Sequence, residues 1–560
     1  MAKPTDNLVD NVANNLMRER LKGRTRMRNF NVKIKKPQAV FSVLFSLMLV
    51  LSRHVINNDA DRTTLESTYF TDVHLIDLAA WILIAVLVYV IVSHIPALYK
   101  DMFYEKGREG ACLPQFFICW GIIIICYLPY IFSYWPGGVY SDTMNSIWIA
   151  LGDDAMTTHE PIGYTLLWKL MYAIGGGNLE PGNYGGINLF TIMQCLGFSG
   201  LYAAFINWNY RRGLKKSVTV ALTLIFALVP IFPFWAISLW KDAVFGIIIF
   251  LYSWFIFCML ERAHGGSLGI RDLIIYIVLS ILVVFFRNNG IYVMIFTSVI
   301  LLISLWRDKD IRKKLGIATL AMIIGCLLIE HPLFDLLGFN VDTAVESMAL
   351  PIEQTGYIIS TDGNLSESDI EVLSSIMPIE TWKEVYSPVN VDYMKFDGSF
   401  DRDYFNNNIG AFFKTYLHIC FKNPVKAVKG YLLGTIGFWD VFEETGNAYI
   451  CPESIAWTGV YQGDWFSYHT GFSFRELVYP RHYISAAVCV WVMLLSVFLA
   501  LGFRKGERWR CLPMMPALGV WITIMLAVPL AFSFRYVFAV FLCIPVYLVC
   551  LVQNNGVTES

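Results

Sequence analysis

Charged side chains are scarce in this chain: Asp, Glu, Lys and Arg make up 16% of its 560 residues, against 56% hydrophobic and 15% aromatic, with a mean hydropathy of +0.53. That scarcity excludes a water-soluble fold around one core, because the apolar residues lie in blocks, as in a polytopic membrane protein. A surplus of either sign is also missing. The formal net charge of −1 gives no ground for a nucleic-acid partner, and none is expected. The twelve cysteines show no CxxC and no Cys/His ligand spacing, and most of them, such as Cys119, Cys126, Cys195, Cys258 and Cys543, lie in or beside apolar runs as small hydrophobes. No spacing rule pairs Cys420 with Cys451. There is no GxxxxGK[ST], HExxH, GxSxG or strand-borne GxGxxG, which weighs against an ATP-driven pump. No internal repeat is visible, which weighs against a secondary transporter. The first apolar run begins only near Ala39, so no cleavable signal is expected.

What is present is a series of about twelve apolar runs of spanning length, near 38–54, 75–97, 112–133, 187–207, 217–236, 242–260, 270–286, 290–306, 314–330, 482–503, 511–529 and 534–552. The basic residues fix their sense. Residues 1–36 form a basic leader with Arg18, Arg20, Lys22 and Arg24 among others, which belongs in the cytoplasm. Every second turn after it is then basic. The clusters are Lys100, Lys106 and Arg108; Arg211, Arg212, Lys215 and Lys216; Arg262 and Arg271; Arg307, Lys309, Arg312, Lys313 and Lys314; and Arg504, Lys505, Arg508 and Arg510. Counting the apolar stretch 160–176 as a further span would invert this order. It reads instead as a juxtamembrane or re-entrant helix, opened by Pro161 at a first-turn position.

The expected fold class is therefore an all-α polytopic membrane protein. Its parts are a cytoplasmic leader (1–36), two N-terminal transmembrane helices (37–111), a transmembrane core (112–330) with an outer loop at 134–186, a mixed extracytoplasmic domain (331–481), C-terminal transmembrane helices (482–552) and a cytoplasmic tail (553–560). Charges at the outer span ends fall on one side. They are Asp142, His159 and Glu160, then Lys241 and Asp242, then Arg287, then Arg535, a set able to converge on one outward cavity. The 331–481 segment carries Trp382, Trp439, Trp457 and Trp465, which suit either a carbohydrate surface or a bilayer interface.

A span followed by WPGGVYSD with Asp142, then HEP at 159–161 before an apolar helix, resembles the C-type (GT-C) fold of membrane glycosyltransferases. WKDAVFG around Lys241 and Asp242, FRNNGIY around Arg287, Asn288 and Asn289, ALPIEQTGYII with Gln354, and SFRYVF around Arg535 and Tyr536 extend the likeness over roughly residues 112–552. The set is closest to a bacterial polytopic family of uncharacterised members in that superfamily. Two departures stand out. No acidic pair adjoins Asp142, and the usual His-Pro is here His159-Glu160-Pro161, so a divalent cation (Mg²⁺ or Mn²⁺) is left open as cofactor.

The resemblance implies a sugar donor linked to polyprenyl phosphate, an envelope glycan, lipid or protein as acceptor, and a plasma-membrane enzyme whose active site is extracytoplasmic. Asp142 is then the candidate general base, its pKa raised by partial burial, with capping of the next helix as the alternative. Lys241, Arg287 and Arg535 are candidates for the donor phosphate, against simple snorkelling to headgroups. Lys241 and Asp242 are also placed to neutralise each other. His159 and Glu160 are left to position the acceptor, tune Asp142 or ligate a metal, with Asp242, Asn288, Asn289, Gln354 and Tyr536 in support. A single base favours inversion. The competing classes are a flippase or transporter of lipid-linked saccharides and a non-catalytic envelope-assembly protein.

Overall fold

The computed structural model describes residues 35–57, 64–95, 113–157, 159–266, 268–306, 308–329, 344–442, 453–478, 484–527 and 530–553, with a few more between 103 and 108 and near 334 and 338. Residues 1–34 of the leader, Lys100, Lys106, Arg307, Cys451 and residues 554–560 lie outside this set.

Each of the twelve apolar runs contains at least one helix among its described residues. In chain order they give α1 (Lys36–Ser52), α2 (Leu75–His94), α3 (Leu113–Ser133), then α4 (Ser141–Leu151) and α5 (Ile162–Gly175) in the first large loop. Next come α6 (Gly185–Arg211), α7 (Lys216–Leu228), α8 (Ile231–Ile237), α9 (Lys241–His264), α10 (Ile270–Phe285), α11 (Gly290–Ser304) and α12 (Lys309–Leu328). Six helices are long and apolar enough to cross a membrane: α2, α3, α6, α9, Arg508–Ala527 and Phe534–Val552. A seventh is added if α7 and α8, bent by 52° where Pro230 interrupts the ladder, form one span. α1, α11 and Ala486–Leu501 are apolar but shorter, and α12 opens on Lys309, Asp310, Arg312, Lys313 and Lys314, which shortens its apolar part. The protein is thus mostly helical and of membrane type. Its one sheet among the described residues is a small antiparallel ribbon, β1 (Val55–Asn57) with β2 (Thr68–Phe70), in which Val55 faces Phe70.

The segment expected to be mixed is helical in its described residues. A 3₁₀ turn (Ala344–Met348) leads into α13 (Ala349–Ser360), α14 (Glu367–Ile376), α15 (Ile379–Val385), α16 (Asp392–Lys395), α17 (Arg402–Asn407), α18 (Ile409–Lys422) and α19 (Pro424–Gly434). The physical reason is local: Ser366 and Asp369 form a reciprocal capping box on α14, and the Asp401 carboxylate accepts from the Tyr404 amide to start α17. Ile352, Trp382, Met394, Phe405, Phe412 and Leu433 give this unit its own core. Two short helices, α20 (Trp465–Thr470) and α21 (Phe474–Val478), follow. The chain then returns to the bundle through α22 (Ala486–Leu501), α23 (Met515–Ala527), α24 (Phe538–Leu542) and α25 (Ile544–Val552).

Inside the bundle, aromatic stacking holds the helices, since lipid tails are as apolar as the side chains and packing has to supply the association. Trp235 of α8 stacks on Phe538 of α24 at 3.8 Å, and Tyr202 of α6 on Phe226 of α7 at 4.3 Å. The 24 residues of α9 rise about 36 Å and so define the two ends. At the end where α9 finishes, Arg212 pairs with Glu261 and Arg262 with Asp272 (2.6 Å), while Arg510 donates to the Gln553 carbonyl (2.6 Å). At the end where α9 begins lies the loop of α4 and α5. Pro161 is the residue just before α5 rather than its first turn. α5 itself rises only about 21 Å and leaves Leu166, Leu170 and Ile174 exposed along one stripe, as suits a helix lying at an interface.

Candidate functional site

Two chain segments, lying side by side, build the floor of the site. Residues 136–141 run beside 237–241: Gly138 N donates to the Ile237 carbonyl and Leu239 N to the Gly138 carbonyl, both at 2.9 Å. Gln194 of α6 holds the second of these segments through the carbonyls of Trp235, Ala236 and Ser238. Gly137 sits at φ +125° with Thr191 where a Cβ would project, so only glycine fits there. The Leu239 carbonyl accepts from Thr143 (2.5 Å) and Tyr164 (2.6 Å), which ties α4, α5 and the start of α9 to one point. Thus Asp142, in the first turn of α4, faces Lys241, the first residue of α9.

Two further turns deliver the arginines. Arg287, Asn288 and Asn289 form the link between α10 and α11, and this link is tight because Gly290 rests against the Val283 carbonyl, where any Cβ would collide. Arg535 lies in the single 3₁₀ turn that opens the last apolar run.

The charges interlock. Asp142 Oδ2 accepts from Arg535 Nη1 at 2.8 Å and lies 3.2 Å from Lys241 Nζ. Lys241 Nζ donates at 3.0 Å to Glu160, whose side chain is fully buried and also receives Asn145. Asp242 turns away from Lys241 and pairs with Arg287, so the two neighbours do not neutralise each other. Aromatic faces support the cations: the Arg535 guanidinium lies 4.4 Å over Trp240, which stacks on Tyr140 at 4.1 Å, and Arg287 lies 5.5 Å from the Tyr536 ring. Tyr536 also accepts a hydrogen bond from Arg535.

This geometry corrects the expected titration of Asp142. Burial alone raises its pKa, as anticipated, but the Lys241 ammonium and the Arg535 guanidinium outweigh burial and hold the carboxyl well below the usual carboxylate range. It also removes the capping alternative: Tyr140 occupies the cap position of α4, no side chain bonds there, and the Asp142 carboxylate is engaged by cations. A divalent cation does not fit the pair either. Asp142 and Glu160, the hard-oxygen ligands such an ion would bridge, converge instead on the Lys241 ammonium. Among the described residues no group of three or more His, Cys, Asp or Glu side chains is placed to hold a metal ion.

A cavity of about 1740 Å³ opens over this cluster. Asp142, His159, Lys241, Arg287, Arg535 and Tyr536 face it, as do Asn288, which donates to the His159 carbonyl at 2.8 Å, and Asn289, which donates to Thr523 at 2.6 Å. Glu160 and Asp242 stand behind this surface as counter-charges. Gln354 does not reach it. That side chain is consumed within the helical unit, bonding the Ala427 carbonyl (2.8 Å) and the Tyr416 hydroxyl (2.7 Å).

Sequence reasoning missed two other walls. One is apolar and runs down α11 and α23 through Tyr292, Phe296, Gly519, Ile522 and Leu526. The other belongs to the helical unit and contains Glu346, Asn390, Asp392, Phe396 and Arg402. Trp240 and Tyr140 lie within the WKDAVFG and WPGGVYSD motifs; nothing in the sequence around Arg402 marks it.

A family model described as a family of unknown function (DUF6020) matches residues 151–559. No curated protein and no solved structure matches the chain.

Proposed function

We propose that this chain, which belongs to the DUF6020 family, is a plasma-membrane glycosyltransferase of GT-C type, with about twelve crossings and both termini cytoplasmic. On this reading it transfers a sugar from a polyprenyl-phosphate donor to an envelope acceptor on the extracytoplasmic face. The observation that carries the reading is the join, within one cavity, of a charged cluster and an apolar groove. From Ala527 to Gly519 the groove descends α23 by about 12 Å, enough for the first few isoprene units of a lipid whose phosphate stays beside Lys241, Arg287 and Arg535.

The chemistry uses the pairing already present. Each of the three cations is held by a carboxylate, so an arriving phosphate takes over charge that Asp142 and Asp242 otherwise neutralise. With Arg535 and Lys241 turned to the phosphate, Asp142 loses the partners that depress its pKa and becomes a stronger base. The acceptor hydroxyl gives its proton to the Asp142 carboxylate and its oxygen bonds to the anomeric carbon. The bond from that carbon to the phosphate oxygen breaks, and the electron pair leaves with polyprenyl phosphate, balanced by the cations. One displacement inverts the anomeric centre. His159, whose side chain is 42% exposed, is placed to orient the acceptor.

The test is sugar transfer by purified protein in lipid nanodiscs, offered a panel of polyprenyl-phosphate sugars and envelope acceptors. Asp142→Asn keeps the volume and removes the base; transfer is expected to fall by about 10²–10⁴-fold. Movement of donor lipid across vesicles without product, equal in wild type and Asp142→Asn, establishes a flippase instead.

A further inference from the structure

Among the described residues four cationic side chains other than histidine face the cavity, and three of them, Lys241, Arg287 and Arg535, are matched to carboxylates. Arg402 is different. Its Nη2 donates to the Lys395 carbonyl (3.0 Å) and its guanidinium lies 4.7 Å over the Phe396 ring, but no carboxylate pairs with it among the described residues. The acidic neighbours on the same wall are already taken. Lys395, 1% exposed, sits beneath them and holds Glu346 at 2.6 Å and Asp392 at 3.0 Å. Arg402 is therefore, among the described residues, the cavity cation with no carboxylate partner and with donors unused, on a wall where Glu346 and Asp392 share Lys395 and the four charges sum to zero. Around it are the carboxylates of Glu346 and Asp392, the Asn390 amide and the Phe396 ring, which is 63% exposed. Carboxylates accept from sugar hydroxyls, an aromatic ring covers the apolar face of a pyranose, and a guanidinium fork binds an oxyanion through paired hydrogen bonds. The donor phosphate has its own cations at the mouth of the lipid groove, so this wall faces the other substrate.

We propose that the Arg402 wall is the acceptor subsite and that the acceptor is an anionic glycan, whose carboxylate or phosphate group is held by Arg402. The inference deepens the glycosyltransferase reading and rests on it. Two sources of the anion are distinguishable, a uronic acid and a glycerol-phosphate repeat.

The experiment measures binding to the full-length protein in nanodiscs with trigalacturonate, its neutral methyl ester and a glycerol-phosphate trimer. The expected result is that one anionic probe binds about tenfold or more tighter than the ester, the preference of about 1.4 kcal/mol that one well-placed charge supplies. Which anion wins identifies the source. Arg402→Gln should abolish the preference, and Arg402→Lys, which keeps charge but loses the fork, should retain part of it. Equal binding of all three probes by wild type overturns the subsite. So does an anion preference that survives Arg402→Gln and disappears in Arg535→Gln. Because binding is read without turnover, a charge preference intact in a protein that transfers no sugar overturns the glycosyltransferase reading and leaves the anion site standing.

Discussion

At the scale of single residues, the site is a set of exchangeable ion pairs. Asp142 in the free protein is held ionised by Lys241 and Arg535, which dominate over burial. Because kcat/KM follows the free enzyme and kcat the substrate complex, the two profiles should separate. The acid limb of kcat/KM should lie below the ordinary carboxylate range, while that of kcat moves up as phosphate draws the cations away; coincident limbs would show that the cations never leave Asp142. Asp242 makes a second case. Its side chain is 2% exposed and that of Arg287 14%, so Asp242→Asn strands a nearly buried guanidinium and should destabilise the protein by about 3–5 kcal/mol. Asp242→Asn with Arg287→Met should recover most of that loss in thermal unfolding. Much of this residue set was legible: WPGGVYSD, WKDAVFG, FRNNGIY and SFRYVF all deliver side chains to one cavity. The pairing was not. Lys241 and Asp242 are neighbours in sequence, but one step of a helix turns them about 100° apart, which sends one to Asp142 and Glu160 and the other to Arg287.

At the scale of elements, α13 shows where sequence reading fails. ALPIEQTGYII was read as a site motif through Gln354, yet every side chain from Ile352 to Ile359 is buried inside the helical unit, and a sequence cannot say which wall a fully buried helix faces. Glu353 is the unusual member. It is fully buried, neither carboxylate oxygen has a hydrogen-bond partner among the described residues, and Gly434 packs directly against it. Burial, with a smaller contribution from Asp392, pushes this carboxyl well above its ordinary value of 4.5. The folded state thus keeps a proton that the unfolded chain releases. Stability from this group is complete below the unfolded value and declines as pH rises above it toward the folded one. Glu353→Gln, which carries no titrating proton, should therefore raise the unfolding temperature at pH 8 while changing it little near pH 4. A wild-type unfolding temperature that does not fall relative to Glu353→Gln between those values would show that Glu353 is solvated.

At the scale of the whole molecule, Arg212 and Arg262, members of two of the basic clusters, lie at the end where α9 finishes, and the candidate site lies where α9 begins. The bundle was legible in part: six helices that coincide with apolar runs are long and apolar enough to cross a membrane, and the bent pair α7 and α8, taken as one span, makes a seventh. The helical unit at 344–442 was not, because its short helices are specified by caps such as Ser366 and Asp401 rather than by long periodic stretches. Which end faces out follows from charge alone, so it has a direct test. Ser368 lies exposed on α14 at the site end and Ser217 exposed on α7 at the other. The native cysteines among the described residues are buried or partly buried, and Cys112→Ser and Cys451→Ser remove the two that lie outside them as a source of labelling background. In intact cells a membrane-impermeant maleimide should label Ser368→Cys and spare Ser217→Cys, which should react only after permeabilisation. The reverse pattern would place the cavity in the cytoplasm. A polyprenyl-phosphate donor presented outside could not then reach Lys241, Arg287 and Arg535, and the extracytoplasmic reaction would fail with the topology.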